Sequence, residues 1–128
     1  LTIECGIQHS VVFYGWVENG SEEHLSIFNK AALFISESYF ESFGVAVVEA
    51  IASGCSVILS DIEAHRMFVK DEDCFTDPDD IKSLSEKIGE FIRGEKTFSS
   101  DRGIIEKFAW EHVADMYERE YMRFATNR

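Results

Sequence analysis

The sequence predicts an α/β protein with a Rossmann-like, three-layer parallel sheet. Short apolar segments alternate along the chain with longer segments of helical periodicity, which is the order of a β-α-β chain. The short segments are apolar throughout rather than alternating with polar residues, as expected where helices cover both faces of a sheet. With 128 residues, 45% of them apolar, the chain has the size and composition of one domain with a hydrophobic core.

Four segments are predicted to be strands. Three are runs of four residues rich in β-branched, aromatic or other apolar side chains, and each is followed by a loop or turn signal. The fourth is a pair of apolar residues that precedes a turn. The predicted strands are residues 11–14, 32–35, 56–59 and 74–75.

Five segments carry helical signals. The first has Ser21 as its N-cap and glutamates in its first turn, where the helix dipole favours negative charge. The second is followed by Gly54, a residue suited to end a helix. The last carries an apolar stripe, which we attribute to packing against the domain. The predicted helices are residues 21–30, 43–53, 63–69, 79–93 and 110–125.

The charge of the chain argues against nucleic-acid binding, because a net charge of −12 repels a phosphate backbone. A phosphate site on such a chain must use backbone N–H groups or basic residues from elsewhere. The sequence contains no apolar run of the ~20 residues that a membrane span needs and no signal peptide. It begins at Leu1 rather than at Met, which indicates a fragment.

Cysteine and histidine spacing argues against a metal site. Cys5, Cys55 and Cys74 are odd in number and have no Cys-x-x-Cys spacing, so we expect reduced thiols in a cytoplasmic protein. The four histidines share no ligand spacing. No metal site is therefore predicted, and no cofactor is expected.

The segment 41–49 is predicted to contain the ligand-binding site. Ligands of parallel α/β sheets bind at the carboxyl ends of the strands, and this segment follows the strand that ends at Ile35. The N–H groups of Gly44, Val45 and Ala46 are expected to be unpaired at a helix start, where the dipole favours an anion. Gly44 has no Cβ, so a ligand can approach its backbone closely.

Glu41 and Glu49 flank that expected anion site. Glu49 is the one charged residue of an otherwise apolar helix, and a buried carboxylate is costly without partners. Its alternatives are a solvent-exposed or structural ion-pair role, and binding of a diol such as a ribose. Two carboxylates beside an anion site indicate a polyhydroxylated phosphate ester, and a nucleotide sugar fits that description.

Residues 36–54 resemble the signature of the group 1 (family 4) glycosyltransferases. That signature is a glutamate, seven residues and a second glutamate, here Glu41 and Glu49. The spacing alone has little value, but Phe-Gly follows the first glutamate, Ala50 follows the second and Ser-Gly ends the helix. Residues 12–17, 56–62, 75–80 and 108–111 resemble the flanking parts of the same family.

The resemblance implies a partial C-terminal domain of the two-domain GT-B fold, with the active site in the cleft between domains. The whole of residues 1–128 would be one partial nucleotide-sugar-binding domain, including a terminal helix at 110–125 that crosses back to the absent N-terminal acceptor domain. Any association with a membrane surface would occur through that absent domain.

The resemblance also assigns roles. Glu41 is the catalytic residue and binds hydroxyl groups of the donor sugar. The backbone at Phe43, Gly44 and Val45 contacts sugar and pyrophosphate, and Glu49 holds the ribose. A further donor contact comes from Val17, whose backbone touches the base. The implied reaction retains the anomeric configuration and generally uses no protein-bound metal.

Several positions depart from the family pattern. Glu37 and Glu63 stand where proline is usual, and the acidic residue often found near Met67 is absent. The basic residues that neutralise the pyrophosphate lie upstream in the family, so Arg66 is a candidate for a phosphate-side contact. The first two strands of the domain are also expected upstream. Three alternatives stay open for the sheet: an open edge, a homo-oligomer that pairs through that edge, or a longer protein.

The leading hypothesis is the donor-binding half of a retaining, hexosyltransferase-type enzyme of polysaccharide or glycolipid biosynthesis, inactive by itself. The alternative is a non-catalytic nucleotide-binding or interaction module of the same fold. A third hypothesis is a nucleotide-sugar epimerase of related fold. The arrangement of Glu41, Phe43, Gly44 and Glu49 argues against it.

Overall fold

The computed structural model describes residues 1–98 and 103–126, which form an α/β structure. The elements in chain order are α1 (Glu22–Lys30), β1 (Leu33–Ser36), α2 (Val45–Ser53), β2 (Ser56–Ser60), α3 (Glu63–Arg66), β3 (Phe75–Thr76), α4 (Ile81–Ile92), α5 (Gly103–Glu106) and α6 (Trp110–Thr126). Two 3-10 turns, Gln8–Ser10 and Glu72–Cys74, lie before α1 and β3. None of the helices in the described ranges is both long and apolar enough to cross a bilayer.

The sheet is parallel, with strand order β1-β2-β3. Leu33 pairs with Ser56 and Ser36 with Leu59, so β1 and β2 end almost together at their carboxyl edge. β3 pairs with the end of β2, where Ser60 lies opposite Thr76. The parallel α/β class predicted from the sequence is confirmed.

The core lies around β2 and α2. Val57, Ile58 and Leu59 are completely buried, as expected for a central strand covered on both faces. The other core side chains come from α2 and the turn after it, from the segment between α3 and β3, from β3, and from the segment after α4: Val47, Ala50, Ile51, Cys55, Phe68, Val69, Cys74, Phe75 and Phe98. β1 is less protected, and Ile35 is 40% exposed.

Local signals place most helix ends. The Ser21 hydroxyl accepts a hydrogen bond from the His24 amide at 3.1 Å and begins α1 as predicted. Asp80 caps α4 through the Ser83 amide at 3.0 Å, so this helix starts two residues later than expected. α2 also starts two residues late, because Gly44 takes a left-handed conformation. α3 ends at Arg66, earlier than predicted, and α5 was not predicted.

Residues 11–14 are not a strand, contrary to the sequence prediction. Val12 and Phe13 are 72% and 81% exposed. A strand is stable only when its backbone pairs with a neighbour, and the described sheet contains no pairing with this segment. The predicted strand at 74–75 is present but shifted by one residue, to β3.

The apolar stripe of α6 does not pack against the domain, so that interpretation was also wrong. Trp110 is 85% exposed and Phe124 is 71% exposed. The helix itself extends over the predicted residues and one more. Its periodicity therefore identified the helix correctly but not what the apolar face contacts.

Candidate functional site

The loop from Glu37 to Gly44 lies at the carboxyl edge of the sheet and joins β1 to α2. Two side chains connect its first half to β3 and to the loop that precedes α4. Glu37 accepts a hydrogen bond from the Thr76 hydroxyl at 2.7 Å, and the Tyr39 hydroxyl donates to Asp79 at 2.6 Å. Through this hydrogen bond Asp79 raises the pKa of Tyr39. Glu37 thus connects the loop to β3 at a position where the sequence departs from the family pattern.

Glu41 is half-buried and accepts a hydrogen bond from the Ser38 hydroxyl at 2.9 Å. This bond leaves the second carboxylate oxygen of Glu41 without a hydrogen bond among the described residues. The side chain lines an open cleft of about 510 Å³ between the loop and α3. The other residues of the cleft are Tyr39, Phe40, Ser42, Ile62, Glu63, Ala64 and Met67. The carboxylate is therefore accessible to a small ligand.

The start of α2 has free backbone donors. Gly44 has φ +87°, and the Val47 amide bonds back to the Gly44 carbonyl at 3.0 Å. The amides of Gly44, Val45 and Ala46 donate no hydrogen bond to any group in residues 1–98 and 103–126. Val45 and Ala46 are exposed, whereas Gly44 is buried, so the positive end of the helix dipole is open to solvent at Val45 and Ala46. This arrangement can bind an anion.

Glu49 is half-buried, and its carboxylate faces the loop before α1. Its Oε2 lies 3.5 Å from His24 Nε2, and the Asn19 amide donates to Oε1 at 3.5 Å. Both distances are long for hydrogen bonds, so the carboxylate is loosely held. Glu49 is one turn after Val45, so the two side chains share a face of α2. The structure thus places a histidine and an asparagine beside the carboxylate, which keeps room for further hydrogen bonds.

Phe43 and Val17 contribute differently. The Phe43 ring points inward and packs edge-on against Phe68 and Phe108, with centroids 5.1 and 5.5 Å away. Val17 is half-buried in the loop before α1, close in sequence to Asn19. The backbone contacts assigned to these two residues stay predictions.

Arg66 is bound by carboxylates of its own chain. Its guanidinium forms ion pairs with Asp61 and, at 2.7 Å, with Glu72, and it lies 4.6 Å from the Phe75 ring centroid. Glu72 and Asp61 raise the pKa of Arg66, while Arg66 lowers the pKa of each carboxyl. A phosphate would have to displace Asp61 and Glu72 from the guanidinium, which would weaken its binding. The phosphate-side role of Arg66 stays a prediction.

Ser60 and His65 were not among the predicted site residues. Both are completely buried, and His65 Nδ1 lies 2.9 Å from the Ser60 carbonyl oxygen. A Cβ placed on Gly44 would lie 3.8 Å from His65 Cδ2, so the imidazole packs directly behind the start of α2. Ser60 ends β2 and His65 lies in α3, five residues later. The sequence gives no other indication of this arrangement.

No cluster of three or more His, Cys, Asp or Glu side chains suited to a metal ion occurs within the ranges that the structure describes. The metal-free chemistry implied by the resemblance stays a prediction.

Comparison with known proteins supplies the family. The family model described as "Glycosyl transferases group 1" matches residues 1–107. The chain is 24% identical over 121 residues to an uncharacterized glycosyltransferase of Methanocaldococcus jannaschii, covering 89% of this chain and 30% of that protein. It is 25% identical over 115 residues to O-antigen chain mannosyltransferase B of Escherichia coli, covering 86% of this chain and 30% of that protein.

A third relative is the phosphatidyl-myo-inositol mannosyltransferase of Mycobacterium leprae, 28% identical over 93 residues, with 68% of this chain and 25% of that protein covered. The chain thus spans less than a third of the length of these relatives. No solved structure matches significantly. The family match includes the loop after β1, all of α2 and the carboxyl edge of the sheet. The chain belongs to the group 1 glycosyl transferases.

Proposed function

We propose that this chain is the donor-binding part of a retaining glycosyltransferase that uses a nucleotide-diphosphate sugar. The observation that carries the proposal is the row of unpaired amides at Gly44, Val45 and Ala46, with Glu41 before it and Glu49 one turn after it. An anion at the amides would lie between two carboxylates that accept hydrogen bonds from hydroxyl groups. A sugar on one side of a diphosphate and a ribose on the other present that order of groups.

Each part of the donor then has a partner. Glu41 binds sugar hydroxyls, the backbone from Phe43 to Ala46 binds the diphosphate, and Glu49 binds the ribose diol. Val17 contacts the base through its backbone. The carboxylates contribute orientation rather than charge neutralisation, because each would repel the diphosphate if it approached closely.

The proposed chemical role of this chain is to stabilise the leaving group. The bond between the anomeric carbon and the β-phosphate oxygen breaks, and the nucleoside diphosphate leaves with the electron pair. The acceptor hydroxyl attacks from the same face and gives its proton to the departing phosphate oxygen, so the configuration is retained. Free amides at a helix N-terminus stabilise the negative charge that develops on that oxygen.

The names of the relatives suggest a first donor to test. O-antigen chain mannosyltransferase B and the mycobacterial phosphatidyl-myo-inositol mannosyltransferase are named for mannosyl transfer. A further relative in Xanthomonas oryzae is named for GDP-mannose. We therefore propose a hexose donor and choose GDP-mannose as the first probe, with a glycan or lipid as the acceptor class.

The chain alone is proposed to bind a donor but not to turn it over. It spans about 30% of the length of its relatives, and its net charge is −12. Arg66, the basic side chain considered for a phosphate contact, is held by two carboxylates. Positive charge for the leaving group and an acceptor site would come from an N-terminal acceptor domain.

The test is titration calorimetry of the chain with GDP-mannose, UDP-glucose and ADP-glucose. We expect binding of one of them, and we expect Glu49→Gln to weaken it. The ribose role is isolated by comparing the nucleoside diphosphate with its 2′,3′-dideoxy form: the wild type should prefer the diol, and Glu49→Gln should lose that preference. Glu86→Gln, an exposed glutamate of α4, is the matched control. Absence of binding to all three nucleotide sugars would reject the proposal.

A further inference from the structure

A chain of hydrogen bonds leads from the half-buried Glu41 into the buried interior. The Ser38 hydroxyl donates to Glu41 Oε1 at 2.9 Å. The carbonyl oxygen of the same Ser38 accepts a hydrogen bond of 2.6 Å from the Ser60 hydroxyl. One serine of the loop is therefore held from behind by β2 while it holds the carboxylate in front.

His65 continues this chain. A carbonyl oxygen can only accept, so the 2.9 Å contact between His65 Nδ1 and the Ser60 carbonyl requires a proton on Nδ1. The Ser60 hydroxyl lies 3.2 Å from the same nitrogen, and since its own proton goes to Ser38 it accepts there as well. These contacts fix both the tautomer and the orientation of the ring.

The other side of the imidazole packs against the backbone at Gly44. A Cβ at Gly44 would lie 3.8 Å from His65 Cδ2, so little space separates the ring from the backbone that starts α2. Nε2 of His65 is buried and has no hydrogen-bond partner among the described residues. A buried unpaired nitrogen costs free energy. An apolar side chain of similar size would avoid that cost, so stability alone does not explain the residue.

We infer that Ser60 and His65 are positioning residues that set the distance between the Glu41 carboxylate and the free amides of Gly44, Val45 and Ala46. This inference rests on the proposed function. The network acts on Glu41 through Ser38 and on the amides through Gly44, so it matches the sugar-binding group to the phosphate-binding group of one donor. Neither positioning residue touches the donor, because both side chains are completely buried.

The consequence is a loss that depends on the ligand. A displaced Glu41 weakens binding of the sugar and leaves the nucleoside diphosphate, held by the amides and Glu49, nearly unchanged. A residue with a merely structural role would weaken both ligands together. The informative quantity is therefore the affinity for GDP-mannose relative to that for GDP.

The experiment measures both affinities by calorimetry for the wild type, Ser60→Ala and Ser38→Ala. We expect GDP-mannose binding to weaken about three- to tenfold, the range of one lost hydrogen bond, with GDP changed less than about twofold. Ser56→Ala is the matched control, since it makes the same substitution in the same strand at the opposite end of the sheet. In a Glu41→Ala background, Ser60→Ala should have no further effect on the relative affinity.

Two substitutions test the ring. His65→Asn keeps a donor close to the position of Nδ1 and should retain most of the wild-type preference for GDP-mannose. His65→Leu keeps the bulk, removes the donor and should lose that preference. The assignment to Nδ1 is contradicted if Asn and Leu behave alike.

The outcomes separate the two proposals. If the wild type binds no nucleotide sugar, the proposed function fails and this inference fails with it. If the wild type binds GDP-mannose and Ser60→Ala and Ser38→Ala leave the relative affinity unchanged, or weaken GDP equally, only the positioning role is rejected.

Discussion

The ring of Phe68 stands edge-on to the ring of Phe43, with 5.1 Å between their centroids, and joins the core to the residue that precedes Gly44. Phe68 is 1% exposed and also contacts Phe108 at 5.1 Å. The three rings form a cluster in which each packs edge-on against the other two. The backbone at the start of α2 is therefore supported by aromatic packing as well as by His65.

Phe68→Ala should lower the free energy of unfolding by about 3–5 kcal/mol, because it removes a fully buried ring and leaves a cavity. Phe40→Ala is the matched control, since Phe40 is 82% exposed and its loss should change stability by less than about 0.5 kcal/mol. Urea unfolding followed by circular dichroism measures both. Equal effects of the two substitutions would contradict the burial of Phe68.

Gly44→Ala and Gly54→Ala should both destabilise the protein by about 1–2 kcal/mol, because an L residue is strained in the left-handed region. The two glycines are at opposite ends of α2 with φ of +87° and +85°. They differ in function: only Gly44→Ala should weaken binding of GDP, since only its backbone lies at the proposed phosphate site. Thermal unfolding and calorimetry on the same samples separate the effects. Equal loss of GDP binding in both variants would reject the phosphate role.

The parts of the fold predicted from the sequence are those with local causes. Glycine ends α2, Ser21 caps α1, and an apolar run forms β2. The segment 11–14 has the same apolar character as β2, but a strand also needs a paired neighbour, and that is a property of the assembled sheet. The prediction that the apolar stripe of α6 packs against the domain was wrong for a similar reason, because periodicity identifies a helix without identifying its contacts.

The site residues likewise divide into those indicated by a local sequence pattern and those brought together only by the assembled fold. Glu41, Gly44 and Glu49 belong to one continuous segment, so a sequence pattern could indicate them together. Ser60 and His65 are brought behind that segment only by the pairing of β2 with β1 and by the turn into α3. A short-range sequence pattern does not contain the contact between Ser60 and Ser38, which are 22 residues apart.

The thiols should differ sharply in reactivity. Cys5 is exposed, whereas Cys55 and Cys74 are buried, and burial raises the pKa of Cys74 to about 11. Since the thiolate is the reactive form, Cys74 is nearly all protonated at pH 8 as well as inaccessible. Maleimide should label one thiol in the native protein and three in urea, as counted by mass spectrometry. Cys5→Ser should abolish the native labelling, and rapid labelling of that variant would contradict the burial.

Acid should destabilise the wild type through the carboxylates that bind Arg66. Arg66 lowers the pKa of Asp61 and of Glu72 in the folded state. Groups with a depressed folded pKa stabilise the protein above their unfolded values of about 4, and that contribution is lost as pH falls through the folded values. Arg66→Met removes the cation, so its stability should fall less between pH 5 and pH 2.5 than that of the wild type. The measurement is the urea midpoint at each pH.

Arg119→Met is the control for that experiment, because Arg119 is exposed on α6 and has no ion pair among the described residues. It removes the same charge without removing a carboxylate partner, so its acid sensitivity should match that of the wild type.

The same variants test whether a phosphate competes with Asp61 and Glu72 for Arg66. If Asp61 and Glu72 occupy the guanidinium, Arg66→Met should leave GDP binding at pH 7.5 nearly unchanged, whereas a direct phosphate contact would make it fall. A fall in GDP binding together with the reduced acid sensitivity would show that Arg66 pairs with its carboxylates in the free protein and leaves them when a diphosphate binds.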